Sequence, residues 1–488
     1  MMKNIVLNYL ILFLFIPALI AQDRTAKKFA KTITKAELEE HLTFIASDSL
    51  EGRETGARGQ KIAAKYIANH FEALGLEPVV ETADGQKSYF QPFNLQRAKF
   101  NTVYLKKGDD QKNNFEDFLY YSRNETYGEE FIEVIFAGEG DSLTLKELDI
   151  SDKYVAFINS DWTLFRSQLK AMKESNAKGY IMIIEDEQKF SYVMNRYGNY
   201  LGSPKMDFSF DQTGSKILIA GSSLTEWIFG ESFSDLRTNG LGKTAKLLIN
   251  ADMHIEPVIS ENVLGFLKGS EKPEEVVVVT AHYDHVGIIN GEIHNGADDD
   301  GSGTVSVLEI AEAFSKAAAK GNRPKRSILF MTVSGEEKGL LGSKYYTDKS
   351  PIFPLENTVA NLNIDMVGRV DEAHKDNPYY IYVIGSDKLS QELHQVSENA
   401  NNTYTKLEFD YTYNDENDPN RYYYRSDHYN FAKNNIPVIF YFNGSHEDYH
   451  RPTDTVEKIQ FDKMERIAQL VYYTTWELAN RSERIKLD

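Results

Sequence analysis

The stretch Val276-Val277-Val278-Val279-Thr280-Ala281-His282-Tyr283-Asp284-His285 passes within ten residues from an unbroken apolar run to imidazoles and a carboxylate. Such a run, of strand length and with no polar alternation, suits a strand covered on both faces. Four more largely apolar runs follow it: Ser327–Val333, Val359–Asp365, Tyr379–Ile384 and Pro437–Phe442. Helical spacing appears between and around them. Leu38, Leu42 and Ile45, then Ile62, Tyr66, Ile67, Phe71 and Leu74, predict two helices about the glycine-punctuated loop 50–56, with Gly75 as a C-terminal cap. Ser302 is expected to cap a helix reaching Ser315, and residues 462–480 read as a terminal amphipathic helix. The expectation is an α/β fold, with a mostly parallel mixed central sheet flanked by helices.

In such sheets ligands collect beyond the carboxyl ends of the strands. His282 follows the first run, Glu336 and Glu337 the second, Asp365 ends the third, and His450 lies in the loop after the last. An aspartate of the triplet Asp298-Asp299-Asp300 precedes the Ser302 helix. Two imidazoles and three carboxylates suit a pair of divalent cations such as zinc, and the remaining glutamate is placed to accept a proton. Gly296, Gly301 and Gly303 allow the backbone to turn sharply there. Spacing does not choose among the three aspartates, and Asp298 and Asp300 are expected to hydrogen-bond within the turn.

Between about residues 116 and 250 the pattern changes to short β-rich runs (Phe131–Phe136, Tyr154–Ile158, Tyr180–Ile184, Lys216–Ile219), with one amphipathic segment near Phe165–Ser175. This part holds none of the candidate ligands and reads as an insertion. The expected division is 1–21, 22–115, 116–250 and 251–488, the polar stretch 106–114 marking the first boundary of the insertion. Residues 1–21 have a basic start, an apolar run and a small terminal residue, the layout of a cleaved export signal, so no stable membrane association is expected afterwards. The chain has no cysteine, which excludes a lipoprotein anchor, disulfides and thiolate ligands. Its net charge of −19 argues against a nucleic-acid partner.

Read together, Ala281–Gly287 (AHYDHVG), Asn295–Gly303 (NGADDDGSG), Arg326–Ser343 (RSILFMTVSGEEKGLLGS), Asn361–Arg369 (NLNIDMVGR), Arg425–Phe442 and Asp448–Thr455 (DYHRPTDT) resemble, in order, the successive motifs of the M28 family of zinc aminopeptidases. The N-terminal LEGRETGARG (residues 50–59) and GLEP (residues 75–78) are similar to its exported bacterial members. The resemblance implies a phosphorylase/hydrolase-like zinc peptidase fold and two Zn²⁺ ions, one held by His282, Asp299 and Asp365, the other by Asp299, Glu337 and His450. It further implies that Glu336 is the general base, that Tyr449 donates to the oxyanion, and that Asp284 orients His282. Peptides are the implied substrates, with N-terminal residues removed. Carboxypeptidase action, glutaminyl-cyclase-like chemistry and a non-catalytic binding role are the competing readings. The insertion resembles a protease-associated (PA) domain.

Residues 446–450 spell the zincin signature HExxH, but an apolar strand and Gly444 precede them and Pro452 follows, leaving no room for the required helix. His446 is therefore expected to be exposed or to form a pocket wall. Arg425 and Asp427 are candidates for lining the substrate pocket, Asp427 being better suited to capping a helix. His285 and His294 read as loop residues.

Overall fold

The computed structural model describes residues 23–122, 128–159, 168, 170, 176–202, 204–210 and 216–488. The export-signal expectation for residues 1–21 and most of the amphipathic segment 165–175 lie outside them. Two compact units are present, one built from residues up to Gln91 together with Glu261–Asp488, the other from Pro92–Ser260.

The apolar runs are strands of the first unit. Strand Lys272–His282 lies parallel to both Arg326–Val333 and Thr358–Ile364, and the latter is parallel to Val438–Phe442. Residues 263–267 close one side antiparallel to Arg326–Val333, while Tyr380–Ile384 and then Glu408–Asp410 extend the other. Unbroken valines occur because both faces are covered. Val277, Val279 and Ala281 pack with helices Lys35–Ile45, Arg58–Ala73, Gly303–Ala319 and Phe461–Asn480, whereas Val276 and Val278 pack against Tyr346, Phe431 and Ile436. The four parallel strands end side by side, with His282 paired to Val333, Thr280 to Asn363 and Ile364 to Tyr441.

Thr34 caps its helix, its side chain accepting from the Glu37 N–H, and Gly75 follows the second helix at φ +69°. Ser302 does not act as expected: it is itself helical and makes no cap hydrogen bond. Asp300 takes that role, its Oδ1 accepting from the Gly303 N–H at 2.8 Å.

In the second unit, strands Glu129–Phe136, Tyr154–Ile158, Gly179–Ile184 and Lys216–Gly221 run parallel in that order. Phe118–Tyr121 and residues 244–250 flank them antiparallel. Helices Glu187–Gly202, Ser222–Phe229 and Phe233–Asn239 belong to this unit, so it is less purely β than the runs suggest. The compact units divide near residues 91 and 260 rather than 115 and 250. The polar stretch 106–114 holds a hairpin turn joining strands Phe90–Lys107 and Asp110–Asn113. Turns and linkers share the same composition, which is why the boundary read from sequence falls there.

Candidate metal centre

His282 is the last residue of its strand, fixed on three sides. Its N–H donates to Asp300 Oδ2 at 3.1 Å, its carbonyl accepts from Thr304 Oγ1 at 2.7 Å, and its ring Nδ1 lies 3.0 Å from the Asp284 carbonyl. A carbonyl can only accept, so Nδ1 carries the proton and Nε2 presents a lone pair to the strand ends. The carboxylate of Asp284 is 3.8 Å from Nδ1. Orientation therefore comes from its backbone oxygen, while its side chain accepts from Thr55 Oγ1 at 2.6 Å and the Glu336 N–H at 3.3 Å. Burial raises the Asp284 carboxyl.

His282 Nε2 faces Asp299 Oδ1 at 3.3 Å and Asp365 Oδ1 at 3.6 Å. The other oxygen of Asp299 lies 3.0 Å from His450 Nε2, which in turn is 3.2 Å from Glu337 Oε2. Asp299 thus stands between two imidazole–carboxylate groups. Its neighbours in the triplet are spent on bracing. Asp300 accepts from the backbone of His282, Gly303 and Met366, and Asp298 accepts from the Gly368 N–H, Asn443 Nδ2 and the His446 ring. Asp300 hydrogen-bonds within the turn to the Gly303 N–H, as expected from sequence, and reaches beyond it as well, whereas the Asp298 carboxylate is used outside the turn. Asp454 accepts the N–H groups of Asp298 and Asp299. Gly296 adopts φ +56°, and a Cβ there would fall 2.5 Å from the His285 ring, so glycine is required.

Asp365 is held by Ser426 Oγ, which donates to its Oδ2 at 2.6 Å. Glu336 stands beside the group, its Oε2 4.0 Å from His282 Nε2. Burial, opposed by the His282 ring but reinforced by Asp365, Asp427 and Glu337, pushes Glu336 well above the carboxylate range. Burial also works against the charge of Asp299, yet His282 and His450 hold it well below its usual value. Glu337 is likewise held low, burial being outweighed chiefly by His450. His282 and His450 are raised against their burial by the facing carboxylates.

Tyr449 stacks on the His450 ring at 4.0 Å. Burial and the charges of Asp299, Glu337 and Glu336 raise its phenol well above the usual range. A small cavity of about 40 Å³ is lined by His282, Asp299, Glu336, Asp365 and Tyr449, with Met366, Tyr422, Phe440, Phe442, Ser445 and Arg425 around them. The Arg425 guanidinium lies over the Tyr422 ring at 4.8 Å.

Other placements differ from expectation. Residues 447–450 form a turn, so HExxH is not helical, and His446 is buried rather than exposed, its Nε2 3.1 Å from Asp298 Oδ2. Asp427 makes no cap hydrogen bond; its Oδ1 accepts from Ser343 Oγ instead, and burial lifts its carboxyl to about 7. His294 is buried, and so is His285, whose Nδ1 lies 2.9 Å from Glu337 Oε1. Arg53, inside the loop 50–56, is fully buried and donates to the carbonyls of Ile45, Tyr283, Asn295 and Gly296. Burial brings it down to about 10 against the pull of Asp299 and Asp284. A buried arginine in a glycine-rich loop leaves no periodic trace in sequence.

Buried polar atoms normally find partners, yet His282 Nε2, His450 Nε2, Asp299 Oδ2 and Glu337 Oε1 make no hydrogen bond among the described residues. Nitrogen and carboxylate donors left open toward one another fit divalent zinc.

Comparison with known proteins agrees. Residues 262–475 match the model of Peptidase family M28. A probable zinc metalloprotease of Pyrenophora tritici-repentis is 40% identical over 147 residues, 28% of each chain. Aminopeptidase YwaD of Bacillus subtilis is 25% identical over 333 residues, 68% of this chain and 64% of its own. The chain thus spans less than two thirds of the length of each of these relatives. Among solved structures, an aminopeptidase from Aneurinibacillus sp. strain AM-1 aligns with TM-score 0.63 at 17% identity, covering 94% of this chain and 97% of its own. The zinc aminopeptidase BSAP of Bacillus subtilis gives 0.55 at 18%, covering 93% and 98%. These likenesses show the shared fold. Because the family match takes in His282, Asp299, Glu336, Glu337, Asp365 and His450 alike, the part of the chain that carries the cluster, residues 262–475, belongs to peptidase family M28.

Proposed function

We propose that this protein is a zinc aminopeptidase that removes N-terminal residues from peptides, with two ions sharing Asp299. The observation that carries the reading is Asp299 standing between His282 with Asp365 on one side and Glu337 with His450 on the other, all with Glu336 at hand. Zinc bound there supplies Lewis-acid polarisation of the scissile carbonyl and activation of a water. Glu336, at the cavity, would act as a carboxylate, the form a neighbouring zinc charge favours, taking the proton from that water and passing it to the leaving amine. Tyr449 lines the same cavity and donates to the oxyanion, a role its raised pKa supports because the phenol keeps its proton. Glu336 and Asp365 provide the negative charge that would select a free α-amine. Met366, Phe440 and Phe442 offer apolar surface for the first side chain, with Arg425 at the rim.

Mass spectrometry of a peptide panel, with and without N-terminal acetylation, tests this reading on zinc-loaded protein. Free peptides should lose residues one at a time and acetylated ones should resist. Equal cleavage of both forms would refute the aminopeptidase assignment.

Export remains part of the proposal, supported by the composition of residues 1–21, and N-terminal sequencing of the protein recovered outside the cytoplasm checks it. Among the described residues no helix is long and apolar enough to cross a membrane. A PA-like role for the unit Pro92–Ser260 is likewise proposed, on its glycine, strand and helix–strand segments.

A further inference from the structure

His285 belongs to neither ligand triad and yet lies against one of them. It is fully buried, with Nδ1 2.9 Å from Glu337 Oε1 and 3.8 Å from Asp299 Oδ2, and its ring meets that of His450 edge-on at 5.6 Å. Donor atoms of His285, Asp299, Glu337 and His450 all lie within 4.8 Å of one another. His285 Nδ1, Asp299 Oδ2, Glu337 Oε1 and His450 Nε2 are each buried without a hydrogen bond among the described residues. His285 Nδ1 and Glu337 Oε1 approach to 2.9 Å, each facing the other as a potential donor to a cation. A tetrahedral ion with bonds of ~2.0–2.1 Å places its donors ~3.3 Å apart. The separations of 2.9, 3.0 and 3.8 Å scatter about that edge.

Local structure fixes the ring in this place. The His285 N–H donates to the Arg53 carbonyl at 3.2 Å, and the bare Cα of Gly296 leaves the ring its space. We propose that His285 is a fourth protein ligand of the zinc held by Asp299, Glu337 and His450. Structural zinc sites are closed by four protein donors, whereas catalytic ones keep a position open. The His450-side ion is then the closed, tightly held one. The open position falls to the His282-side ion, the one beside Glu336. The two ions should therefore differ in retention, the His282-side ion leaving first.

This inference rests on the zinc reading above, and the wild-type protein separates the two failures. Zinc content and affinity are measured on full-length protein by elemental analysis and competition with a chromophoric chelator, with far-UV circular dichroism as the fold control. Wild type should hold two ions of unequal affinity; a wild type that binds none would overturn the metal reading itself. His285→Ala and His285→Asn should both lose the tighter ion, by more than the ~10–100-fold expected for an outer hydrogen-bond partner. Asparagine keeps a donor where Nδ1 stands but is a poor zinc ligand, so it discriminates. If His285→Asn retains the ion while His285→Ala loses it, the ring is a hydrogen-bond donor and the inference fails. Two ions held with wild-type affinity in both variants would also overturn it and leave the zinc reading intact.

Discussion

Two places in the first unit set a histidine between two carboxylates, and only one of them reads as a metal site. His374 has Nδ1 2.9 Å from Asp371 Oδ1 and Nε2 3.2 Å from Asp410 Oδ2, with its ring stacked on Tyr380 at 3.6 Å. Asp371 is further satisfied by the Tyr382 hydroxyl at 2.7 Å. His282 has Nε2 3.3 Å from Asp299 and 3.6 Å from Asp365, but that nitrogen makes no hydrogen bond among the described residues. Residue types and distances are nearly the same. The difference lies in whether the lone pairs are already used, and a group that is buried but unspent is the one prepared for a cation.

The largest effect that would test this contrast is chemical. Glu336→Gln removes a proton acceptor without removing a proposed ligand, so zinc content should stay at the wild-type level while kcat falls by about 10²–10⁴-fold. Elemental analysis with steady-state kinetics reads both. Residual activity near wild type would remove Glu336 from the role of base.

The next test sets the two histidine sites side by side. His450→Ala should lose one zinc equivalent and with it hydrolysis, whereas His374→Ala should keep both ions. The latter leaves buried carboxylate oxygens short of a donor, a cost of about 1–3 kcal/mol in stability. Metal counting and thermal melting distinguish them. Loss of zinc from the His374 variant would break the comparison.

Much of this was legible from residues. The four parallel strands announce themselves because burial on both faces removes the need for polar alternation, as at Val276–Val279. His282 and Asp365 could be placed at the strand ends because the apolar runs stop there. What could not be read is direction. Nothing in Asp298-Asp299-Asp300 says that the outer carboxylates turn to backbone N–H groups while Asp299 turns to the imidazoles. Nor does a loop histidine reveal burial: His446 and His285 look alike in sequence, but one is paired with Asp298 and the other faces Glu337. Asp427 shows the same gap, standing at a helix start with its carboxylate turned to Ser343.

The smallest expected effect concerns a buried cation beside the satisfied site. Lys463 is almost wholly buried, its Nζ donating to the Arg369 carbonyl at 2.6 Å and lying 3.8 Å from the Tyr380 ring centroid. Burial lowers its pKa from 10.5 to about 7, against the pull of Asp298 and Asp371. Below pH 7 both folded and unfolded chains carry the proton, and the full cost of the buried charge is present. Between pH 7 and 10.5 the unfolded chain binds the proton that the folded one has released, so stability rises with pH in that window. Lys463→Met fills similar space without the charge. The melting temperature of the variant relative to wild type should therefore shift in its favour, on the order of a few degrees, as pH falls from about 9.5 to 6. A difference that stays constant across that range would show that the ammonium is paired well enough to keep its proton, and that the satisfied site accommodates charge as readily as the metal cluster does.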